Sequence, residues 1–320
     1  MILMSAEETR AALPWRPLVE ALREIFRSGC EMPVRHHHDF AVPGEPDATH
    51  LLMPAWVVGR YLGVKVLNVV PGNAARGLPA ISAVYLLSDA KTGGMLALVD
   101  GGELTSRRTA AASALAADYL ARPDASRLTV VGTGRLSLNV IEAHASVRPI
   151  KEVRIWGRSA EKAAAMAEKA RALGFAAEPA TDLEAAVRAA DIVSTVTLSN
   201  EPLINGEWLS PGCHLDLIGG FKPTMREADD AAIRRAHVFV DTRAGATKEA
   251  GDIVVPLASG VLSLDGIEAE LAELTTNAHT GRQSADDITL FKSVGAASED
   301  LAGAILAYET VMANAGGAQA

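Results

Sequence analysis

The sequence predicts an α/β chain in which a doubly wound parallel sheet domain is inserted into a smaller α+β domain made from both chain ends. Three observations lead there. From residue 127 onward, short apolar segments alternate with helical stretches, the pattern of a parallel sheet covered on both faces. Between residues 62 and 99, alternating apolar segments are separated by turn residues, which fits a small, largely antiparallel sheet. After residue 295 one last helix has no sheet of its own to cover and is expected to return to the first domain. The expected boundaries are 1–122 plus 297–320 for the outer domain and 123–296 for the inserted one. A length of 320 residues suits two domains.

Residues 5–28 read as helical, with Ser5 as cap and Glu8 as its capping-box partner. Residues 29–60 read as irregular and carry His36, His37 and His38. Three consecutive histidines on an extended chain point to opposite faces, so they do not converge on one ion, and no metal is expected. Apolar alternating segments follow near 62–70, 81–87 and 95–99, divided by Pro71-Gly72-Asn73 and Lys91-Thr92-Gly93-Gly94. An alanine-rich helix over 104–120 is ended by Pro123.

The βα pattern then runs through Leu128-Thr-Val-Val131, a helix over 136–147, Val153-Arg-Ile-Trp156 and a helix over 160–173. Later strands are Ile192-Val-Ser-Thr195, His214-Leu-Asp-Leu-Ile218 and Val238-Phe-Val-Asp241. The final helix spans 297–312 and runs into a Gly/Ala tail.

Gly132-Thr133-Gly134-Arg135-Leu136-Ser137 follows a strand and opens a helix. In that setting it reads as a dinucleotide phosphate loop of Rossmann type. The first glycine permits the tight turn, the second admits the pyrophosphate, and the helix N-terminus presents free N–H groups. Ser137 meets the third, small position imperfectly. The next strand ends Trp156-Gly157-Arg158-Ser159, without the carboxylate that bonds a ribose 2′-hydroxyl. Arg158 and Ser159 suit a 2′-phosphate, so NADP(H) is expected over NAD(H), with NAD(H) possible.

Three basic residues stand out in the first domain: Arg35, Lys65 within the apolar strand Gly-Val-Lys-Val-Leu, and Arg108 at the start of the alanine-rich helix. A lysine in a buried strand is costly unless an anion pairs with it, and arginine holds carboxylates bidentately. Together they suggest a carboxylate pocket. Arg107 and Arg108 lie about 100° apart on a helix, so only one of them should serve it.

With these motifs in view, the chain resembles the ornithine cyclodeaminase/μ-crystallin family over nearly its whole length. The resemblance rests on Leu52-Met-Pro54, Gly63-Val-Lys65 with Pro71-Gly-Asn73, and Leu104-Thr-Ser-Arg-Arg-Thr109-Ala-Ala. It extends through the glycine loop, Gly219-Gly-Phe-Lys-Pro223 with Arg226-Glu227, and Ile288-Thr-Leu-Phe-Lys-Ser-Val-Gly295. It implies a homodimer whose outer domain binds substrate and dimerises. It also implies that Arg35, Lys65 and Arg108 hold an amino-acid carboxylate, with Lys65 also steering a proton. Met53 would line the pocket, Val294 and Gly295 would border the nicotinamide, and Thr195 joins the cofactor residues.

Two departures from the family pattern matter. Ornithine cyclodeaminases are expected to carry an Asp after the Gly-Gly pair, where this chain has Phe221. They also tend to have a Thr where this chain has Ala80. Phe221 cannot accept a proton or hold an ammonium. The expected reaction is therefore reduction of a cyclic imine carboxylate, Δ1-pyrroline-2-carboxylate or Δ1-piperideine-2-carboxylate, to proline or pipecolate, with Phe221 packed on the ring. Asp216 and Asp229 are the carboxylates that could replace the lost one. Ornithine cyclodeaminase, an alanine-dehydrogenase-like enzyme and a non-catalytic NADP- and ligand-binding protein remain as alternatives.

A net charge of −9 gives no support for a nucleic-acid partner. Two cysteines, Cys30 and Cys213, are too few for a disulfide framework. No apolar run is long enough to span a membrane, and a cytoplasmic location is expected.

Overall fold

In the computed structural model, residues 1–317 are described, so the last three residues of the expected tail lie outside the described residues. The first part of the chain forms β1 (Ile2–Met4), α1 (Ala6–Ala12), α2 (Trp15–Ser28), β2 (His36–Phe40), β3 (Ala48–Val57), β4 (Tyr61–Val69), β5 (Ile81–Asp89), β6 (Met95–Asp100) and α3 (Gly101–Leu120). There follow β7 (Arg127–Val131), α4 (Leu136–Val147), β8 (Glu152–Trp156), α5 (Ala160–Ala172), β9 (Ala176–Pro179), α6 (Leu183–Arg188), β10 (Ile192–Thr195) and β11 (His214–Leu217). The rest comprises α7 (Asp230–Arg235), β12 (His237–Val240), α8 (Arg243–Glu249), α9 (Gly251–Ser259), β13 (Ile267–Glu270), α10 (Leu271–Thr275), β14 (Thr289–Lys292) and α11 (Ala297–Gly317).

Two compact units result. One is Met1–Arg108 with the chain from Ala297 onward, and the other is Thr109–Ala296. The division falls inside α3.

In the first unit, Ser5 and Glu8 form the expected capping box on α1. The helix expected over 5–28 is nevertheless broken. Proline disfavours helical backbone in the residue before it, and Leu13 leaves the helix at φ −120° while Pro14, itself extended, is the N-cap of α2. The stretch expected to be irregular holds two strands: β2 pairs with β3, and β3 pairs across a three-residue turn with β4. The six-stranded sheet has the order β1-β6-β5-β4-β3-β2 and is antiparallel except for β1 on β6.

Register gives the sheet two different faces. Met53, Lys65, Tyr85 and Val99 stand in one cross-strand row, all buried, on the face that α11 covers. The opposite face carries the row Pro54, Val64, Leu86, Leu98 and Leu3, flanked by Leu52, Val66, Val84, Trp56 and Leu62. Its side chains are half-buried or exposed, and Leu3 is 67% exposed.

The second unit is an eight-stranded sheet of order β13-β12-β14-β11-β10-β7-β8-β9, parallel throughout. This is the expected doubly wound sheet. Strands β10, β11 and β14 are buried along their whole length, as strands covered on both faces must be. The strand order reverses between β7 and β10, and ligands of such sheets bind beyond the carboxyl ends of strands at that reversal. Gly132 follows β7 there and Val196 follows β10.

Candidate active site

The phosphate loop of the second unit is built by close approach. Gly132 has φ +130°, and a Cβ on it would lie 2.8 Å from the Val196 side chain, so only glycine fits. A Cβ on Gly134 would meet nothing within 4 Å, which leaves open space above the loop. Ser137, the imperfect third position, is fully buried and donates its hydroxyl to the Gly132 carbonyl at 3.0 Å. The serine therefore braces the turn.

Arg135 is exposed and gives α4 no side-chain cap, while Leu136 begins the helix half-buried. The Ser137 N–H closes a turn on the Gly134 carbonyl at 3.2 Å, and a helix start without a side-chain cap suits a phosphate. These features fit a dinucleotide. Beside the loop, Thr133 packs against Gly157. Arg158 is exposed, and Ser159 accepts the Lys162 N–H at 3.2 Å as N-cap of α5. Thr195 is buried, with its hydroxyl 3.4 Å from the Asp216 carbonyl and so turned into the sheet.

Buried carboxylates that sequence reasoning did not single out hold the neighbouring turns. Asp241, at the end of β12, accepts the N–H groups of Val294 and Gly295, each at 2.7 Å. It thereby fixes the turn in which Gly295 takes φ +83°. Burial pushes its carboxyl up, against these bonds. Glu227 accepts from Thr197 (N–H and hydroxyl, both 2.8 Å) and from the Gly219 N–H at 2.6 Å. Asp252 accepts the Glu227 N–H at 2.8 Å. It also lies 3.2 Å from the buried Lys292 ammonium, as an ion pair without hydrogen-bond geometry. The Gly219-Gly220 turn rests on this cluster, and Phe221 beyond it is 41% exposed.

The two carboxylates considered as replacements for an aspartate at 221 are both committed. Asp216 is fully buried and accepts from Ser113 at 2.9 Å and Ser194 at 2.6 Å, with the His144 ring at 3.3 Å. Burial raises its carboxyl, but the bonds from His144 and Ser194 outweigh that and hold it below the ordinary value. Asp229 caps α7 through the Ala232 N–H and also accepts the Gly206 N–H, both at 2.9 Å.

In the first unit, Lys65 is 2% exposed and donates to Asp300 Oδ2 at 2.7 Å. Arg108 is 5% exposed. Its Nε donates to Asp300 Oδ1 at 2.9 Å and its Nη1 to Glu299 at 2.8 Å. Two cations thus meet two anions in a dry environment, where an unpaired charge would be expensive. Burial lowers the Lys65 ammonium to about 8, with Asp300 opposing and Arg108 and Arg35 adding to the drop. Arg35 is half-buried and near enough for its charge to be felt at Lys65. Met53 and Tyr85 flank Lys65 in its row, and the Tyr85 hydroxyl has no hydrogen-bond partner among the described residues.

Arg107 lies elsewhere. It stacks 3.8 Å over Trp15 and donates to the Leu13 carbonyl at 2.8 Å. Glu299 and Asp300 were missed because two acids in a first helical turn read as ordinary partners of the helix dipole. The signal was present, since the residues that follow them, Leu301 to Ala307, are all apolar or glycine. The three histidines lie on the exposed edge strand β2, with His36 and His38 on one face at 6.2 Å.

A glycine loop at the reversal of a doubly wound parallel sheet defines a Rossmann-type dinucleotide-binding protein, here joined to a unit with a buried Lys-Arg-carboxylate set. The chain belongs to the ornithine cyclodeaminase/mu-crystallin family, which it matches over residues 4–315. It is 39% identical over 299 residues to a Delta(1)-pyrroline-2-carboxylate reductase of Paracoccus denitrificans, covering 93% of each chain. Its fold is similar to that of the Thermococcus litoralis Delta(1)-pyrroline-2-carboxylate reductase in complex with NADH and L-proline (TM-score 0.91, 32% identity, 98% of each chain). An archaeal alanine dehydrogenase dimer with bound NAD is similar too, with TM-score 0.90, 30% identity, and coverage of 98% of this chain and 97% of that one. Among the described residues, no helix is long and apolar enough to cross a membrane.

Proposed function

We propose that the chain reduces a cyclic imine carboxylate, Δ1-pyrroline-2-carboxylate or Δ1-piperideine-2-carboxylate, to the cyclic amino acid with NADPH. The observation that carries this reading is the buried, charge-balanced set of Lys65, Arg108, Asp300 and Glu299. Lysine has three N–H donors and arginine five; Asp300 and Glu299 engage one of the first and two of the second. The donors that remain, with Arg35, hold the substrate carboxylate, and Lys65 steers a proton. Met53, beside Lys65 in its row, is the apolar neighbour proposed for the ring. The dihydronicotinamide, when bound to Gly132–Leu136 and Gly295, supplies the hydride.

A protonated C=N bond asks for little else. Cyclodeamination of ornithine asks for a base near the amine, and Phe221 is not one, while Asp216 and Asp229 are committed to Ser113, Ser194 and two helix-end N–H groups. NADPH oxidation at 340 nm with Δ1-pyrroline-2-carboxylate, beside L-ornithine with NAD and an ammonia assay, tests the reading. Oxidation without ammonia release supports it, and ammonia with proline from ornithine overturns it. A second reading, reduction of an open-chain imine, draws on the likeness to alanine dehydrogenase; pyruvate with ammonia in the same assay separates the two.

The preference for NADPH rests on Arg158 and Ser159 and on the missing carboxylate at the end of β8. Arg158→Ala is expected to weaken NADPH about 10-fold, the size of one hydrogen bond to a charged group, and to leave NADH unchanged. Fluorescence titration of both cofactors reads this, and equal losses would remove the preference. Two free cysteines and a reducing cofactor suit the cytoplasm.

The first unit is proposed as the substrate-binding and dimerisation domain. The apolar outer face of its sheet is larger than single exposed side chains account for, and a second copy of the chain is the occupant proposed. Leu86→Glu, at the centre of that face, is expected to halve the mass measured by light scattering on a sizing column. An unchanged mass would place the dimer contact elsewhere.

A further inference from the structure

Asp300 divides one carboxylate between two cations. Its Oδ2 takes the Lys65 ammonium at 2.7 Å and its Oδ1 takes Arg108 Nε at 2.9 Å. The three side chains come from β4, α3 and α11, and Lys65 and Arg108 lie 235 and 192 residues from Asp300 along the chain. All three are buried, with Asp300 fully so. A carboxylate bonded on both oxygens fixes the distance between its two partners, because its own geometry is rigid. Glu299 holds only Arg108 among these contacts.

We infer that Asp300 is a positioning residue for the reaction, setting the spacing of Lys65 and Arg108 so that their remaining N–H donors match a single ring carboxylate. The inference rests on the proposed reading of Lys65 and Arg108 as carboxylate holders.

The groups facing Lys65 are Asp300 from α11, Arg108 from α3 with Glu299 behind it, Arg35 from the segment before β2, and Tyr85 from β5. Of these, Asp300 alone bonds Lys65 directly and favours its ammonium form. Removing that charge leaves burial and the two arginines opposed only by Glu299 among the groups named, and Glu299 bonds Arg108 rather than Lys65. Carboxylate binding that needs the ammonium should then fail at a lower pH.

The test is binding of pyrrole-2-carboxylate, a flat ring carboxylate that is not turned over, to the NADPH-loaded protein by calorimetry across pH. Asp300→Asn is expected to raise Kd at least 10-fold at pH 7. It should also move the alkaline loss of binding down by roughly 1–3 pH units, the effect of one close opposite charge. Glu299→Gln is expected to move that midpoint less. Asp300→Glu keeps the charge but shifts it by one methylene, and is expected to weaken binding with the midpoint retained. Wild-type Kd and midpoint in Asp300→Asn, or equal shifts in Asp300→Asn and Glu299→Gln, would overturn the inference. Because binding is read without turnover, a protein that shows these shifts but reduces no imine keeps the positioning role and loses only the proposed reaction.

Discussion

Lys65→Met is expected to lower kcat/KM for the cyclic imine by about 10²–10⁴-fold, the contribution of one positioned proton-handling group. The side chain is nearly isosteric, so the loss reports charge and not shape. Lys65 does two things in the proposed reaction: it holds the carboxylate with Arg108, and it handles a proton. Both require the ammonium, which burial brings down to about 8. The sign follows directly. Below that pH the ammonium persists and the wild-type rate is full; above it Lys65 is neutral, and kcat/KM falls as pH rises. Lys65→Met should lack this alkaline limb and stay low at every pH. Binding of the nicotinamide cofactor, proposed for the glycine loop of the second unit, should be unchanged and serves as the folding control. A variant that retains the wild-type rate and alkaline limb would remove Lys65 from the chemistry.

Asp216→Ala should show the opposite behaviour, a large loss of stability with little change in turnover per folded molecule. Asp216 sits in the middle of the parallel sheet, fully buried, with Ser113, Ser194 and His144 directed at it. Removing one member of a buried charged network costs about 3–5 kcal/mol. At 2–4 °C per kcal/mol for a unit of this size, the second unit should melt roughly 6–20 °C lower. The pH dependence carries its own sign. The folded carboxyl lies below its unfolded value, so its stabilising contribution is present above about pH 3.9. That contribution is lost as pH falls through the folded value. The difference between wild type and Asp216→Ala should therefore narrow in acid. If turnover falls instead while melting is unchanged, Asp216 is a reaction carboxylate and cyclodeamination returns as a reading.

The contrast between these two residues follows from where each sits. Lys65 is a buried cation whose donors exceed its partners in the chain, whereas Asp216 is engaged by Ser113 from α3, His144 from α4 and Ser194 from β10. Burial alone does not distinguish them, since both are buried. The count of unused donors does.

Local pattern was enough for much of the fold. The change from alternating apolar segments to βα units near residue 127, the glycine loop between β7 and α4, the Ser5–Glu8 capping box and the end of α3 before Pro123 all depend on residues a few positions apart. So did the oddity of Lys65, because a charge within an apolar strand is visible without a structure. Other features depend on residues far apart, and periodicity cannot report them. The four-residue β14 slots between β11 and β12 only because both are already in place beside it. The strands β2 and β3 were hidden for a local reason: they lie in a stretch whose His, Pro and Gly residues read as loop. The partners of Lys65 and Arg108 come from α11, about 190 to 235 residues away, where Glu299 and Asp300 read as ordinary helix-start acids. The sequence by itself determined that buried cations would need anions. Only the tertiary structure decided which anions they were, because charges that meet in a dry interior are brought there by the packing of whole elements.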